Sequence, residues 1–378
     1  MNIGIICYAS VGGSGVVATE LASALAARGH DVHVLSSETP FRLRDEPGLS
    51  FHKVEAPAYP LFREPQYLLS LVTRIVQVSR TRALDIIHAH YAVPHAAAAY
   101  LARQIIADSG RRVPGIVTTL HGTDITLVGR DPSYAETVAY CIDQADIVTA
   151  VSESLKADTY RTLRVKRPIE VIPNFLDCER HRRLPVPGLR EELAPNGEPV
   201  IVHISNFRPV KRVEAVVEIF RRIRAERPAR LLLVGDGPDL GTALKRVAEY
   251  GLQNDVDVRG ELMDVTPILS ASDVLLLPSA QESFGLAALE AMACEVVVVA
   301  SRVGGLPEVI DHGRTGFLHP PEDVAGMARS ALAVLDDPGL RARITREARR
   351  EVTGRFCTDV VVPRYEACYE GLAARAVT

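Results

Sequence analysis

Residues 273–301 have the sequence DVLLLPSAQESFGLAALEAMACEVVVVAS, in which a helical segment separates two apolar, β-branched runs. These runs are continuously apolar, as in strands that are covered on both faces, so the segment predicts two parallel strands with a crossover helix. Similar runs alternate with helical patterns along the chain: NIGIICY, DVHVLSS, LDIIHAH, GIVTTLH and DIVTAVS in the first half, and PVIVHIS, RLLLVGD and DVDVRG in the second. The sequence therefore predicts an α/β fold with two doubly wound, parallel-sheet, Rossmann-like domains.

The domain boundaries follow from length and from one interruption. The chain has 378 residues, more than the usual domain length of about 100–200 residues. At residues 173–198 Pro, Gly and charged residues cluster and the apolar pattern stops. We predict a first domain over 1–172, a linker over 173–198, a second domain over 199–354, and a C-terminal helix over 355–378 that packs back on the first domain. Ligands are expected at the carboxyl ends of the strands, in the cleft that the domains face.

Composition excludes several classes of protein. The 43 Lys and Arg residues against 47 Asp and Glu residues give a net charge of −4, so no global positive field favours nucleic acid or an anionic membrane as a partner. No segment reaches the roughly 18 apolar residues that span a bilayer, and the first residues lack the basic start of a signal peptide, so we expect a cytoplasmic protein. The six cysteines form no CxxC pair, which predicts buried, reduced thiols and neither a zinc cage nor a disulfide framework.

The loop and helix at 281–294, QESFGLAALEAMAC, form the most informative motif. Glu282 and Glu290 are eight residues apart, and Ser283 is a candidate N-cap of the helix. One carboxylate would reach sugar hydroxyls and the other, two turns along, a ribose diol. Three backbone N–H groups at the helix start would favour a phosphate or sugar: those of Phe284, Gly285 and Leu286. Either glutamate alone is explained as an exposed helix acid, but the pair around a glycine indicates a binding site.

The loop after PVIVHIS carries two cations in SNFRPVKR, residues 205–212. Arg208 and Lys211 are three residues apart, so a helical turn would project both from one side. Arginine offers a planar fork and lysine a point charge, which together suit a diphosphate. Positive charge at a helix start opposes the helix dipole, which counts against two merely solvated cations.

The first strand ends in a glycine-rich turn, SVGGSGVVATELASALAARGH at 10–30. Glycines such as Gly13 let backbone N–H groups approach a ligand, and the start of the following helix favours an anion. The pattern is not GxGxxG, and no acid follows the second strand as it would in a nicotinamide-binding fold. Tight packing of the strand against the helix explains the glycines equally well.

Several motifs together resemble the retaining glycosyltransferases of the GT-B fold, specifically glycosyltransferase family 4. In the second half these are the glutamate pair, NFRPVKR at 206–212, LLLVGDGP at 231–238 and RVGGLPEVI at 302–310. In the first half, the motifs resemble the family members of bacillithiol biosynthesis, which transfer N-acetylglucosamine from UDP-GlcNAc to L-malate. They are CYASVGGSGVVATELA at 7–22, HAHYAVPHA at 88–96 and TTLHGTDITLVGRDP at 118–132.

The resemblance implies a role for each motif residue. Arg208 and Lys211 would neutralise the UDP diphosphate as it leaves, and Glu290 would hold the ribose hydroxyls. Glu282 and the backbone of residues 283–286 would hold the transferred sugar. The other implied donor-side residues are Asn206, Gly13, whose N–H groups would face the phosphates, and His121, which would lie by the donor sugar.

The implied chemistry uses no covalent protein catalyst. A double displacement needs two carboxyl groups about 5 Å apart across the anomeric carbon, and no such pair stands out. We therefore expect front-face attack, in which the departing phosphate takes the acceptor proton and His121 has a positioning or electrostatic role. No carboxylate pair resembles the DxD arrangement that holds Mg²⁺, so we expect no metal and no cofactor; UDP-GlcNAc is a substrate.

The acceptor site is less defined than the donor site. Malate is a dianion, so its pocket must offer charge or several hydrogen-bond donors. The candidates are Ser14, Tyr91, Thr119 and Thr123. His88, His90 and His95 do not have a zinc-like spacing.

One departure from the family pattern follows the EAMAC segment. Glu295, Val296 and Val297 stand where the family has a Gly-Val-Pro turn. This places an acid where the chain must turn into the next strand, and it puts the local geometry in question.

Three alternatives remain open at this point. A family 4 enzyme with another acceptor, such as an inositol phosphate or a lipid-linked glycan, would explain the arginines and the apolar stripe of residues 61–82. A UDP-GlcNAc epimerase of the same fold would need further acids near C2 of the sugar. A nucleotide-sugar-binding protein without activity would have lost part of the donor motif. The sequence leaves the oligomeric state, including a homo-oligomer, undetermined.

Overall fold

The computed structural model describes residues 1–10, 12–57 and 66–375. The chain forms two units: unit 1 comprises Met1–Asn174 and a C-terminal segment that starts at Asp359, and unit 2 comprises Phe175–Thr358. Residues 175–198, for which the sequence predicts a linker, are part of unit 2 and include a short helix.

In the described part of unit 1, seven parallel strands form one sheet in the order β3-β2-β1-β4-β5-β6-β7. The strands are β1 (Asn2–Ile6), β2 (Asp31–Ser36), β3 (Leu49–Lys53), β4 (Ile86–His90), β5 (Gly115–Leu120), β6 (Ile147–Ala150) and β7 (Ile169–Val171). The helices between them are α1 (Gly13–Ala27), α2 (Tyr67–Arg82), α3 (Ala97–Asp108), α4 (Ala135–Asp143) and α5 (Glu153–Thr162).

Unit 2 repeats this plan with six parallel strands in the order β10-β9-β8-β11-β12-β13. Its strands are β8 (Val200–Ile204), β9 (Arg230–Val234), β10 (Val256–Gly260), β11 (Val274–Leu277), β12 (Val297–Ser301) and β13 (Phe317–His319). Its helices are α6 (Pro187–Leu193), α7 (Val213–Glu226), α8 (Leu240–Glu249), α9 (Thr266–Ser270), α10 (Leu286–Ala293), α11 (Leu306–Val309), α12 (Val324–Asp336) and α13 (Pro338–Arg355). The chain then returns to unit 1 with α14 (Thr358–Arg375).

Apolar periodicity explains these layers. The central strands β8, β11 and β12 are buried almost throughout, so their side chains need cover on both faces of the sheet. Helix α7 supplies part of that cover, because Val213, Val216, Phe220 and Ile223 recur at helical spacing and are all buried. The predicted two-domain α/β fold with parallel sheets is confirmed. The sequence analysis missed β3, β7 and β13, which lie at the edges of the sheets.

Helix α14 completes the core of unit 1. Tyr365 and Tyr369 are fully buried, and the Tyr369 hydroxyl lies 2.7 Å from Nδ1 of His88 on β4. Glu366, on the same helix, pairs with Arg28 and His30 at 2.9 and 3.0 Å. The last helix therefore belongs structurally with strands that come from the first third of the chain.

Helix α2 carries the apolar stripe that the sequence analysis considered as a membrane-binding face. Five residues of the stripe are buried within unit 1: Leu71, Val72, Ile75, Val76 and Val78. Packing therefore accounts for the stripe, while residues 61–65 lie outside the described residues. No helix in the described part of the chain is long and apolar enough to cross a membrane.

A disulfide joins Cys178 and Cys357, so the prediction of reduced thiols was wrong for these two residues. The cysteines are 179 positions apart in sequence, but the chain enters and leaves unit 2 at the same place. A bridge between Leu176 and Cys357 aligns the two crossing segments, and the cysteine Cα atoms lie 5.5 Å apart. The other four cysteines are free and buried, as expected: Cys7, Cys141, Cys294 and Cys368.

Replacing Cys178 and Cys357 by serine is expected to lower the free energy of unfolding of unit 2 by about 2–4 kcal/mol, because the disulfide closes a long loop. Differential scanning calorimetry with and without dithiothreitol measures the effect. Reductant should lower the melting temperature of the wild type to that of the double variant and leave the variant unchanged. Equal sensitivity of both proteins to reductant, or six titratable thiols in the denatured wild type without reductant, would contradict the disulfide.

Candidate functional site

The strand order of unit 2 reverses between β8 and β11, and the loops after these two strands carry the predicted donor-binding residues. In parallel sheets such a reversal opens a crevice at the carboxyl ends of the strands. Lys211 lies on the loop after β8 and Glu282 on the loop after β11, and Lys211 Nζ is 2.5 Å from Glu282 Oε2. Both side chains are largely buried, with 20% and 15% exposed. A cation and a carboxylate 71 residues apart thus meet where the fold predicts a ligand.

The two cations flank a 3₁₀ turn, Pro209–Lys211, instead of opening an α-helix. The Lys211 N–H donates to the Arg208 carbonyl at 2.8 Å, which closes the turn. Arg208 is exposed and its side chain makes no hydrogen bond or ion pair with the described residues, so its guanidinium is available to a ligand.

Helix α10 begins differently from the prediction. Its N-cap is Gly285, with φ +100°, and no side chain caps the first turn, so the prediction that Ser283 is the N-cap was wrong. A Cβ on Gly285 would lie 2.5 Å from a methyl of Leu306, and the left-handed backbone itself favours glycine. The N–H groups of the first turn have no partner within the helix, and they are next to Glu282 in sequence. With glycine at the N-cap, no side chain caps the N–H groups at the start of α10.

Two further glycine motifs pack directly on these loops. A Cβ on Gly235 would lie 1.8 Å from the Ser205 carbonyl oxygen, and one on Gly304 would lie 1.8 Å from the Glu282 carbonyl oxygen. The Gly305 N–H also donates to Glu282 O at 3.0 Å. The motifs LLLVGDGP and RVGGLPEVI thus fix the backbone of the loops that carry the cations and the first glutamate.

Glu290 is on α10, about one turn from the helix start, and only 4% exposed. His181 Nε2 lies 3.8 Å from Glu290 Oε1, and the two are partners that sequence reasoning did not connect. After α10 the chain turns at Glu295, whose φ is +59°, so this acid occupies the left-handed position that glycine prefers. The departure from the family pattern leaves the path of the helix intact.

A buried histidine under the cation loop was also missed. His203 Nδ1 donates to the Leu276 carbonyl at 2.8 Å, and its Nε2 lies 2.8 Å from Ser205 Oγ, which accepts the Phe207 N–H at 3.2 Å. Burial lowers the pKa of His203 to about 4, so the ring is neutral. The one feature of the sequence that could have indicated this role was a histidine within an apolar strand, PVIVHIS. Nearby, Asn206 Oδ1 and Ser279 Oγ are buried and have no hydrogen-bond partner among the described residues.

In unit 1 the glycine turn leads into α1, which starts at Gly13 after the N-cap Gly12. Gly13 is exposed, and a Cβ there would meet nothing within 4 Å. Ser14 is half-buried in the first turn. Gly15 is different, because a Cβ there would lie 2.6 Å from the Ser10 carbonyl oxygen. The turn thus combines one glycine required by packing with an open helix start.

The structure gives Thr119 a structural role and contradicts its assignment to the acceptor. The residue is fully buried, and its hydroxyl lies 2.7 Å from His88 Nε2 and 2.7 Å from Thr149 Oγ1. The Thr119 hydroxyl is therefore bonded to two side chains inside unit 1.

His121 lies at the end of β5, where its Nε2 is 2.8 Å from His90 Nδ1 and its ring is half-buried. Burial, with a smaller contribution from His95, lowers the pKa of His121 to about 3. The imidazole is therefore neutral near pH 7, and it can act as a hydrogen-bonding group but not as a cation. Two buried ring nitrogens of this cluster, His90 Nε2 and His95 Nε2, have no hydrogen-bond partner in the described structure.

Tyr91 and Thr123 complete the half-buried surface around His121. Tyr91 has φ +89°, a strained value for a residue with a side chain, and its ring centroid is 5.3 Å from that of His121. Asp124, which the sequence analysis did not assign, accepts the Gly122 N–H at 2.9 Å. Burial raises the pKa of Asp124 to about 6.

No group of three or more His, Cys, Asp or Glu side chains that could hold a metal ion is found within the described ranges. Positive charge at the candidate site of unit 2 comes from Arg208 and Lys211. Carboxylate groups come from Glu282 and Glu290. The arrangement can bind an anionic group next to a polyhydroxylated one.

Two family models match the chain. Glycosyltransferase Family 4 matches residues 11–180, and Glycosyl transferases group 1 matches residues 189–351. Among characterised relatives, the chain is 44% identical to the N-acetyl-alpha-D-glucosaminyl L-malate synthase of Bacillus anthracis, over 98% of this chain and 96% of the relative. It is 29% identical to the D-inositol 3-phosphate glycosyltransferase of Pseudarthrobacter chlorophenolicus, over 89% of this chain and 85% of the relative.

Solved structures agree on the fold. The sucrose-phosphate synthase of Thermosynechococcus elongatus has a TM-score of 0.81 at 24% identity and covers 99% of both chains. The Anabaena protein Alr3699/HepE in complex with UDP-glucose has a TM-score of 0.81 at 20% identity, over 98% of this chain and 100% of that chain.

The buried histidines predict that acid destabilises the fold. Burial lowers the pKa of His88 to about 3 and of His203 to about 4, against about 6.5 in the unfolded chain. Between these values the unfolded state binds more protons, so stability is lost as the pH falls from about 7 to 4, by about 2 kcal/mol for His88 at pH 5. The raised pKa of Asp124 opposes this trend below about pH 6.

Urea unfolding at pH 7 and pH 5 measures the loss. His88→Asn is expected to reduce the difference between the two pH values, and His203→Asn serves if the first variant does not fold. His312→Asn, at an exposed position, is the control. An unchanged difference in both buried-site variants would show that these histidines are not neutral in the folded protein.

Proposed function

Because the chain belongs to glycosyltransferase family 4, we propose that it transfers N-acetylglucosamine from UDP-GlcNAc to the hydroxyl group of L-malate with retention of configuration. The observation that carries the reaction class is the contact of Lys211 with Glu282 at the β8/β11 reversal. The choice of acceptor is supported by the 44% identity to the Bacillus anthracis synthase over nearly the whole of both chains.

The contact between Lys211 and Glu282 suits the junction of a nucleotide sugar. The anomeric carbon of the sugar is bonded to a phosphate oxygen, so groups that bind phosphate and sugar must lie close together. Without ligand, the cation and the carboxylate neutralise each other at 2.5 Å. In the complex Lys211 turns to the diphosphate and Glu282 accepts from sugar hydroxyls, while the open start of α10 donates backbone N–H groups. Asn206 borders the same loop and adds a side-chain amide.

Leaving-group stabilisation is the main catalytic contribution that we assign to unit 2. As the bond from C1 to the phosphate oxygen breaks, negative charge grows on the diphosphate. Arg208 and Lys211 meet that charge with charge-assisted hydrogen bonds, each worth about 1.5–3 kcal/mol. Fixed cations aimed at developing charge stabilise the transition state more than the ground state.

The acceptor oxygen attacks C1 on the face from which UDP departs. The malate hydroxyl forms the new C1–O bond, its proton passes to the departing phosphate oxygen, and the configuration is retained without a covalent enzyme intermediate. No residue is assigned as a nucleophile. The side chains of this protein bind and orient the two substrates and neutralise the charge of the leaving diphosphate.

We assign the acceptor to the half-buried surface of unit 1. The open start of α1, at Gly13 and Ser14, favours a carboxylate. Tyr91 and Thr123 add hydroxyl groups. His121, neutral and hydrogen-bonded to His90, acts by positioning and not by charge.

The first test is UDP release from UDP-GlcNAc with L-malate, D-malate, succinate, inositol phosphate or no acceptor, each with and without EDTA. We expect release only with L-malate, an α-linked product, and no effect of EDTA, because Arg208 and Lys211 supply the positive charge. Release with inositol phosphate and not with L-malate would show that the acceptor is the one named for the D-inositol 3-phosphate glycosyltransferase relative. Acceptor-independent release with a sugar altered at C2 would favour an epimerase.

Arg208→Ala and Lys211→Ala are each expected to lower kcat about a hundredfold, the usual loss when one group that stabilises developing negative charge is removed. Glu290→Gln should mainly raise KM for UDP-GlcNAc, because ribose binding is the same in the ground and transition states. Steady-state kinetics at saturating L-malate separates the two effects. Arg222→Ala, an exposed ion-pair residue on α7, is the matched control, and full turnover in either cation variant would refute the diphosphate assignment.

A further inference from the structure

We propose that His181 is a positioning residue for Glu290, which holds this carboxylate in the orientation that binds the ribose of the donor. The inference rests on the proposed function for the role of Glu290. It assigns a task to a turn, residues 177–181, that lies outside every motif used so far. The turn comes from the segment for which the sequence predicts a linker.

The hydrogen bonds of His181 fix the state of its ring. Its Nδ1 lies 3.0 Å from the Asp177 carbonyl oxygen, which can only accept, so Nδ1 carries the proton of that bond. Nε2 is therefore the atom that faces Glu290, at 3.8 Å from Oε1. This separation is within the range of an ion pair between an imidazole nitrogen and a carboxylate. The side chains are 3% and 6% exposed, so solvent screens the interaction little.

Because the Glu290 carboxylate is buried, a group that faces it must offset the loss of water. A carboxylate inside a protein needs charge or hydrogen-bond partners to offset the loss of water. Cys294, one turn along α10, adds no competing charge, because burial and the Glu290 carboxylate raise the pKa of its thiol to about 12. The His181 ring faces the carboxylate, and Arg349 brings a positive charge to the end of the same helix.

The turn is held by internal hydrogen bonds and by a disulfide. Asp177 Oδ1 accepts the backbone N–H groups of Glu179 and Arg180 at 2.9 and 3.2 Å. The disulfide of Cys178 with Cys357 ties the turn to the segment that leaves unit 2. The turn is therefore fixed internally and to the segment that leaves unit 2.

Arg349, on α13, connects the turn to the helix that carries Glu290. Its guanidinium donates to the carbonyl oxygens of His181 at 2.5 Å, Cys178 at 2.7 Å and Ala293 at 3.0 Å. Ala293 is the last residue of α10. One side chain therefore sets the distance between the His181 backbone and the end of the helix, and the imidazole spans the remaining gap to Glu290.

Two substitutions separate positioning from a merely structural role. In His181→Asn the amide nitrogen can replace Nδ1 and keep the bond to Asp177, but nothing replaces Nε2. His181→Leu removes both functions. Titration calorimetry with UDP and with 2′,3′-dideoxy-UDP then reports whether a loss of affinity acts through the ribose hydroxyls, and melting temperatures report folding.

We expect His181→Asn to weaken UDP binding about tenfold, in the range of coupling between residues in contact, and to leave dideoxy-UDP binding unchanged. In the background of Glu290→Gln, His181→Asn should have no further effect on UDP. KM for UDP-GlcNAc should rise with little change in kcat. His319→Asn, on β13, is the control for a histidine of unit 2 away from this turn.

Three outcomes would overturn the inference: wild-type UDP affinity in His181→Asn, equal weakening of both nucleotides, or full additivity with Glu290→Gln. Failure of the proposed function is distinct, because it would appear as a lack of UDP release dependent on L-malate in the wild type, whereas the role of His181 is measured by UDP binding alone. A wild type that binds UDP and dideoxy-UDP equally would remove the ribose role from Glu290 and the positioning role with it.

Discussion

The parallel pairing of β8 with both β9 and β11 is the constraint on which the rest of unit 2 depends. Strand β8 starts the sheet in sequence but lies in its middle, so the chain must proceed outward in one direction and return to continue in the other. The loops after β8 and β11 then separate at the carboxyl edge, and no other pair of neighbouring strands has this freedom. Unit 1 shows the same reversal between β1 and β4, next to the turn that ends at Gly13. Each sheet thereby creates one place for a ligand.

In unit 2, backbone packing holds the two loops that form the candidate site. The backbone at Gly235 and Gly304 packs against the two loops so closely that no Cβ would fit. The neutral ring of His203 contacts Ser205, at the start of the loop that carries the cations. Charge at the site is therefore carried by the side chains of Lys211 and Glu282, on loops whose backbone is held by packing. A fixed backbone suits a glycosyltransferase, because the charged side chains must meet the negative charge on the leaving diphosphate in one defined geometry while the sugar is transferred.

The sequence predicted the central strands and the donor motifs because both are local patterns. The strands β8, β11 and β12 lie in continuous apolar runs, whereas the missed strands β3, β7 and β13 are partly exposed edge strands with polar residues. The disulfide was missed because spacing says nothing about cysteines 179 positions apart. Thr119 resembled a binding residue until its hydroxyl was found between His88 and Thr149. His181 and Arg349 act through tertiary contacts that leave no pattern in one sequence.

The division of the chain into units also orders events during synthesis. Unit 2 is one continuous segment and contains every strand of its own sheet, so it can fold as soon as Thr358 has left the ribosome. The larger segment of unit 1 precedes unit 2 but cannot complete its core then, because Tyr365 and Tyr369, which fill that core beside His88, are translated after unit 2. Unit 1 therefore completes its core only after unit 2 has been translated, and that unfinished core is exposed while unit 2 is built.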